Sequence, residues 1–227
     1  MKKLIAVVFF LNFFFFAQAQ EGTKTHPNTQ KAGWHDLFQP DLANAIKPDN
    51  VWTFENGVLT ASEDNSIWSN KEYNDFSLDL EFKTANGTNS GVVVHASDIK
   101  DWIPNSVEIQ IADDYSEEWS KAPKTWQCGA IFGRLAPKKS NVKKPGEWNH
   151  YTVTCKGKKI WVILNGELVN EIDMNQWTDP KKNPDGSDIP AWLNKPLATL
   201  PLKGYVGLQG KHAGAPIYFR NVKIKEL

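Results

Sequence analysis

The segment Phe76-Ser77-Leu78-Asp79-Leu80-Glu81-Phe82-Lys83 alternates apolar and polar residues without a break. Successive side chains of an extended chain point to opposite sides. One face therefore carries Phe76, Leu78, Leu80 and Phe82, and the other Ser77, Asp79, Glu81 and Lys83. Such a segment is stable only as a half-buried strand against a second apolar layer. The same period recurs in residues 107–111, 151–155, 159–164, 167–172, 205–208 and 217–224, and Val92-Val93-Val94 adds a β-branched run. Asn165-Gly166, between two of these runs, predicts a type I′ hairpin. Asn86 to Gly91 reads as a turn. Helix should be scarce, one turn near Ala191 to Asn194. The pattern predicts an all-β sandwich of two antiparallel sheets. Two long connections, residues 115–127 and 174–201, read either as binding loops or as solvated insertions.

The N-terminus carries Lys2 and Lys3, an apolar run from Leu4 to Ala17, and the small-x-small pattern Ala17-Gln18-Ala19. These are the parts of an export signal over residues 1–19, too short to span a bilayer. No cysteine stands at the cleavage point, so no lipid anchor is expected. A polar, flexible lead-in over residues 20–32 and one domain over residues 33–227 follow, in a periplasmic or secreted chain. The full sequence has 26 basic and 26 acidic residues; losing Lys2 and Lys3 leaves 24 against 26, a net charge of −2. That balance weighs against nucleic acid and anionic membrane as partners. All ten Trp lie beyond the signal, and indole faces stack on the C–H faces of pyranose rings. Cys128 and Cys155 are expected as two separate buried thiols, with a bridge as the alternative in an oxidising compartment.

Chemistry is concentrated in Ser106-Val107-Glu108-Ile109-Gln110-Ile111-Ala112-Asp113-Asp114. With Val107, Ile109 and Ile111 inward, Glu108 and Gln110 project together from the other face, about 7 Å apart. On an outward strand they would be a solvated polar face; on a concave sheet they would be a site. Laminarinase-like glycosidases carry Glu-x-Asp-x-x-Glu on such a strand, and here the letters are Glu108, Gln110 and Asp113. Double displacement needs two carboxyl groups ~5–5.5 Å apart, and glutamine serves as neither. The pattern implies different chemistry, or binding alone. Further polar candidates are His95 after the valine run, Asn89 in Asn89-Ser90-Gly91, Trp126 in the first long connection, and Gln209 and His212 in Gly207-Leu208-Gln209-Gly210-Lys211-His212. Arg220 follows Tyr218-Phe219. No histidine pair has metal-ligand spacing, and no Ser or Cys sits in a nucleophile elbow.

An ordered set of short motifs carries a family resemblance. Gly33-Trp34 leads to Leu37-Phe38, and Trp52 precedes Glu55-Asn56-Gly57-Val58-Leu59. Phe76 to Phe82, Asn89-Ser90-Gly91 and Glu108-Ile109-Gln110-Ile111 come next. Gly129-Ala130-Ile131-Phe132-Gly133, Gly146-Glu147-Trp148-Asn149 and Asn165-Gly166 continue the series. Gly204 to Gln209 and Phe219-Arg220-Asn221-Val222-Lys223-Ile224 close it. Residues 33–227 resemble the 3-keto-disaccharide hydrolase domain family throughout. One departure is Gln209-Gly210-Lys211-His212, where the family often has Gln-Asp-His-Gly.

The resemblance implies a concanavalin-like jelly roll with one concave sheet. It also implies a carbohydrate substrate already oxidised at C3 by a partner sugar dehydrogenase. A ketone at C3 acidifies the C2 hydrogen, so a base can form an enolate that expels the C1 substituent, after which water adds. That route needs a base, an enolate stabiliser and a proton donor. On this footing Glu108 and His212 are the catalytic pair, Glu108 as base or metal ligand and His212 as acid or base. Gln110 and Arg220 would bond the ketone or hydroxyls, and Asn89, Gln209, His95 and Trp126 would hold the sugar. No cofactor is required; a divalent metal in place of Arg220 is the alternative. Competing readings are a non-catalytic carbohydrate-binding module, a lectin-like structural partner, and an ordinary glycoside hydrolase using Asp113, Glu117 or Glu118 as second carboxylate.

Overall fold

The computed structural model describes residues 25–227. The export signal expected over residues 1–19 lies outside them. The described chain forms thirteen strands: β1 (His35–Asp36), β2 (Ala45–Ile46), β3 (Trp52–Glu55), β4 (Val58–Ala61), β5 (Ile67–Ser69), β6 (Phe76–Thr84), β7 (Asn89–Ala96), β8 (Val107–Ala112), β9 (Trp148–Lys156), β10 (Lys159–Leu164), β11 (Glu167–Asp173), β12 (Tyr205–Leu208) and β13 (Ile217–Glu226). They make two antiparallel sheets. One runs β11-β10-β9-β6-β13-β4-β3, with β1 added beside β13, and the other runs β2-β5-β12-β7-β8.

The core lies between them. Phe76, Leu78, Leu80 and Phe82 of β6 meet Val92, Val94, Val107, Ile109, Ile111 and Leu208 of the smaller sheet in one buried cluster. Alternation in the two central strands therefore decides which face is inside. Asn165-Gly166 turns β10 into β11 with both residues at positive φ (50° and 83°), as a type I′ turn requires. Asn56-Gly57 does the same between β3 and β4 (51° and 76°).

Three expectations about local structure change. Asn89-Ser90-Gly91 is strand, because Asn89 pairs with Ala112, Ser90 with Ile111 and Gly91 with Gln110; the turn ends at Thr88. The expected helical turn at residues 191–194 is not helical. The α-helix among the described residues is α1 (Glu117–Lys121), started by Ser116, whose hydroxyl accepts the Trp119 N–H, with Glu117 and Glu118 in the favoured first turn. The lead-in is also anchored on the larger sheet. The His26 imidazole bonds Thr152 Oγ1 at 2.8 Å, and its Nε2 accepts the Gly166 N–H at 2.8 Å.

Residues 174–201 fold over the core, burying Trp177, Ile189, Leu193, Leu197 and Leu200. Residues 129–132 continue the smaller sheet past β8, since the Gln110 N–H bonds Ala130 O and the Phe132 N–H bonds Glu108 O. No edge is left open there for aggregation. Cys128 and Cys155 are both buried and unbridged. No described helix is long and apolar enough to cross a membrane.

Candidate active site

The outer face of the smaller sheet carries the side chains that alternate away from the core. Its register aligns Ile46 with Trp68, Trp68 with Gly207, Gly207 with Val93, and Val93 with Glu108. A neighbouring row contains Gln209, Gly91 and Gln110, since the Gln209 N–H bonds Gly91 O and Gly91 pairs with Gln110. Both glycines are required by what crosses them. A Cβ on Gly91 would collide with the Glu108 carboxyl, and one on Gly207 with the Trp68 indole. Glu108 and Trp68 thus lie flat over the sheet, Glu108 reaching from its own row into the next.

Glu108 has lost most of its hydration. Burial pushes its carboxyl up to about 8, and the neighbouring negative charge of Asp64 adds to the effect. Near neutral pH it is largely protonated and so a proton donor. Gln110 is buried, and its Nε2 donates to Asn89 Oδ1 at 3.0 Å. Gln209 is nearly as deep, and its Oε1 is buried without a protein partner among the described residues. A buried carbonyl left without a donor is costly unless a ligand supplies one.

His212 reaches the same end of the face. Its backbone N–H bonds Asn89 O at 3.1 Å, and its Nδ1 lies 2.6 Å from Asp64 Oδ2. A carboxylate only accepts, so Nδ1 donates, which leaves Nε2 as the ring nitrogen open to a ligand. Asp64 is held by its own loop: Trp52 Nε1 donates to Asn65 O at 2.9 Å, and the Lys211 N–H donates to Glu63 O. Asp64, Gln209 and His212 line a cleft of about 430 Å³ together with Trp68 and Trp102, while Glu108, Gln110 and Asn89 are not in its lining.

Glu108, Gln110, Asn89, Gln209 and His212 are therefore brought to one end of one sheet face. Three other candidates are not. Arg220 lies on β13 of the larger sheet, where it donates to Glu81 at 2.7 and 3.2 Å and stacks on Trp148. His95 is fully buried. A positive φ of 54° and a register shift beside it turn the side chain into the core, where Nδ1 meets Leu202 O and the ring meets Phe76 edge-on. Trp126 packs on Phe132 and Trp192 and does not line the cleft.

Two of the three carboxylates considered as partners for Glu108 are engaged elsewhere, and the third, Glu118, is exposed on α1. Asp113 accepts the N–H groups of Gly87 and Tyr115, and Glu117 pairs with Lys121 on the surface. Asp64, Trp68 and Trp102 are the residues that sequence reasoning missed. Asp64 and Trp102 sit in connections without periodicity and Trp68 in the three-residue β5, and two of the ten Trp carry no local signal that separates them from the rest.

Among the described residues, one group of three His or carboxylate side chains brings its ligand atoms within 4.8 Å: His26, Asp79 and His150, on the larger sheet. Its hydrogen bonds explain it without an ion. Because His26 Nε2 accepts from Gly166, the proton sits on Nδ1 and faces Thr152, which donates to Asp79 at 2.6 Å. Glu108, Asp64 and His212 do not form such a group.

Comparison with known proteins gives the same direction. A curated 3-keto-disaccharide hydrolase of Bacteroides thetaiotaomicron is 25% identical over 206 residues, covering 78% of this chain and 70% of its own length. A solved candidate glycosyl hydrolase of Parabacteroides distasonis is 57% identical with a TM-score of 0.83, over 86% of this chain and 99% of its own. A Bacillus subtilis protein with a galectin-like fold superposes at a TM-score of 0.51 and 12% identity, over 85% and 94% of the two chains, and supports the fold alone. The family model for the 3-keto-alpha-glucoside-1,2-lyase-like domain matches residues 23–225. With its two-sheet concanavalin-like sandwich, the chain belongs to the 3-keto-alpha-glucoside-1,2-lyase-like domain family.

Proposed function

We propose that the protein cleaves 3-keto-glycosides by elimination and hydration, with His212 as base and Glu108 as acid. The observation that carries this reading is a carboxyl that burial keeps protonated, near a histidine that a carboxylate orients. Hydrogen bonding to Asp64 leaves His212 Nε2 free to take a proton, while burial keeps one on Glu108. A carboxyl shifted by burial near an oriented histidine is a common arrangement for an acid–base pair.

In the first step His212 Nε2 removes the C2 proton made acidic by the C3 ketone. The electron pair forms the enolate and then the C1–C2 double bond as the C1–O bond breaks. Glu108 gives its proton to the departing oxygen. Water then adds at C1, returning its proton to Glu108, while His212 returns one to C2. The sum is hydrolysis, and both groups end as they began. Asn89, whose Oδ1 is occupied by Gln110, has its NH₂ left to donate to the ketone oxygen as charge builds there. The unpartnered Gln209 Oε1 accepts from a sugar hydroxyl. Supply of the substrate falls to a sugar 3-dehydrogenase, and export places the reaction in the periplasm or outside the cell.

Asp64 beside the proton-bearing Glu108 favours one rival, an ordinary glycoside hydrolase with these two as its carboxyl pair. Incubation with a 3-keto-glucoside and with its unoxidised parent separates the two. Release of 3-keto-glucose from the oxidised compound alone supports elimination, and equal cleavage of both supports the rival. Saturable binding without product from either points to a binding module.

A further inference from the structure

The cleft is chemically divided along β7. Its Asn89 end carries the polar set of His212, Gln209, Gln110 and Asp64. Its Ala96 end is apolar: Trp68, Val93 and Ala96 form a second cluster, outside the main core, with Ile99 and Trp102 packed against it. The Glu108 carboxyl lies over Gly91, between the two ends. At ~3.3–3.4 Å per residue, Asn89 to Gly91 and Gly91 to Val93 are each about 7 Å, the span of one six-membered ring.

Two of the five large hydrophobic side chains most exposed on the described surface, Ile46 at 40% and Ile103 at 42%, both open into this cleft. Their convergence beside Trp68 and Trp102, whose rings meet edge-on at 6.0 Å, is not the dispersed exposure expected of a surface. The wall is also rigid. Asn105 N–H and Ser106 Oγ both bond Trp102 O, and Asn105 Nδ2 bonds Asp101 O, which fixes the 97–106 connection.

We propose that the Ala96 end is the leaving-group subsite and that it takes an apolar, ring-bearing aglycone in preference to a second sugar. The inference rests on the cleavage reading, which seats the 3-keto ring against His212 and its glycosidic oxygen at Glu108. The aglycone then falls against Ile46 and Ile103, beside Trp68 and Trp102. Ile46, Ile99 and Ile103 offer nothing to hydroxyls, so a second pyranose set against them would lose hydration with replacement bonds only from Asn65 and Ser66. Lys47 and Lys100 in the lining add aliphatic stems while their ammonium groups stay in water.

The test compares benzyl 3-keto-α-glucoside with 3-keto-trehalose. Benzyl alcohol is no better a leaving group than a sugar hydroxyl, so a preference reports binding and not intrinsic reactivity. The expected result is kcat/KM about tenfold higher for the benzyl compound, the worth of roughly 55 Å² of apolar surface covered. The double variant Ile46→Asn/Ile103→Asn, both positions being exposed, should lower the benzyl-to-disaccharide ratio about tenfold. A ratio that the variant leaves unchanged, or a wild-type preference for the disaccharide, overturns the proposal. Calorimetry with benzyl and methyl α-glucoside separates the two readings. Tighter benzyl binding that the double variant loses, without turnover of either ketone, keeps the subsite and discards the cleavage mechanism. Equal affinities discard the subsite.

Discussion

Replacing Glu108 by Gln should make the protein more stable at neutral pH while removing its activity. The carboxyl moves from an ordinary 4.5 when unfolded to about 8 when folded. Between those values the native state holds a proton that the unfolded state has released, so stability falls as pH rises through that window. Each pH unit above 4.5 costs about 1.4 kcal/mol, or about 3 kcal/mol at pH 7. Because the residue is only half-buried by exposed area, solvent reduces this to roughly 1–3 kcal/mol. Glutamine keeps the shape and cannot ionise. The variant should match wild type at pH 4.5 and exceed it by that amount at pH 7 in urea unfolding, about 2–12 °C in Tm. Turnover of a 3-keto-glucoside should fall at least about 100-fold with loss of the acid. A stability difference that is the same at pH 4.5 and pH 7, or a variant less stable at pH 7, would refute the reasoning, because the carboxyl would then be solvated.

Gly91→Ala places a methyl group where the Glu108 carboxyl lies. It should cost about 1–3 kcal/mol in unfolding and lower kcat/KM at least about tenfold by re-aiming that group. Arg220→Met should leave kcat/KM within about twofold and cost up to about 1 kcal/mol of stability, since the pair with Glu81 is part-exposed and on the other sheet. His95 is neutral in the core, its pKa held near 4 chiefly by burial. Unfolding free energy should therefore fall by about 3 kcal/mol as pH drops from 6.5 to 4. His95→Asn, tolerated at positive φ, should flatten that slope in denaturant titrations at several pH values.

The strands that were legible in the sequence are those with one wet face. The alternation in β6 and β8 assigns the inner residues, and Asn165-Gly166 reads directly as a hairpin because few other dipeptides accept two positive φ angles. The short β1, β2 and β5 were not legible, since two or three residues cannot show a period. Alternation also placed Glu108 and Gln110 on one face, but it does not say which sheet a strand joins. Arg220 alternates as correctly as Glu108 and still belongs to the opposite layer. His95 failed for a related reason: a single bulge reverses the face, and the positive φ that makes it is invisible beside three valines. Asp64 and Trp68 meet Glu108 only through pairing across four strands. That long-range register is a property of the folded chain.

Cleavage of a 3-keto-glucoside in D₂O, with the product read by NMR, tests the assignment of His212 and Glu108 most directly. Removal and return of the C2 proton should leave the released 3-keto-glucose deuterated at C2, faster than a control without protein, and the unoxidised glucoside should remain intact. Product that keeps its C2 hydrogen, or cleavage of the unoxidised compound at a similar rate, would mean that the anomeric bond is broken by direct displacement and that the acid–base roles drawn from this cleft are mistaken.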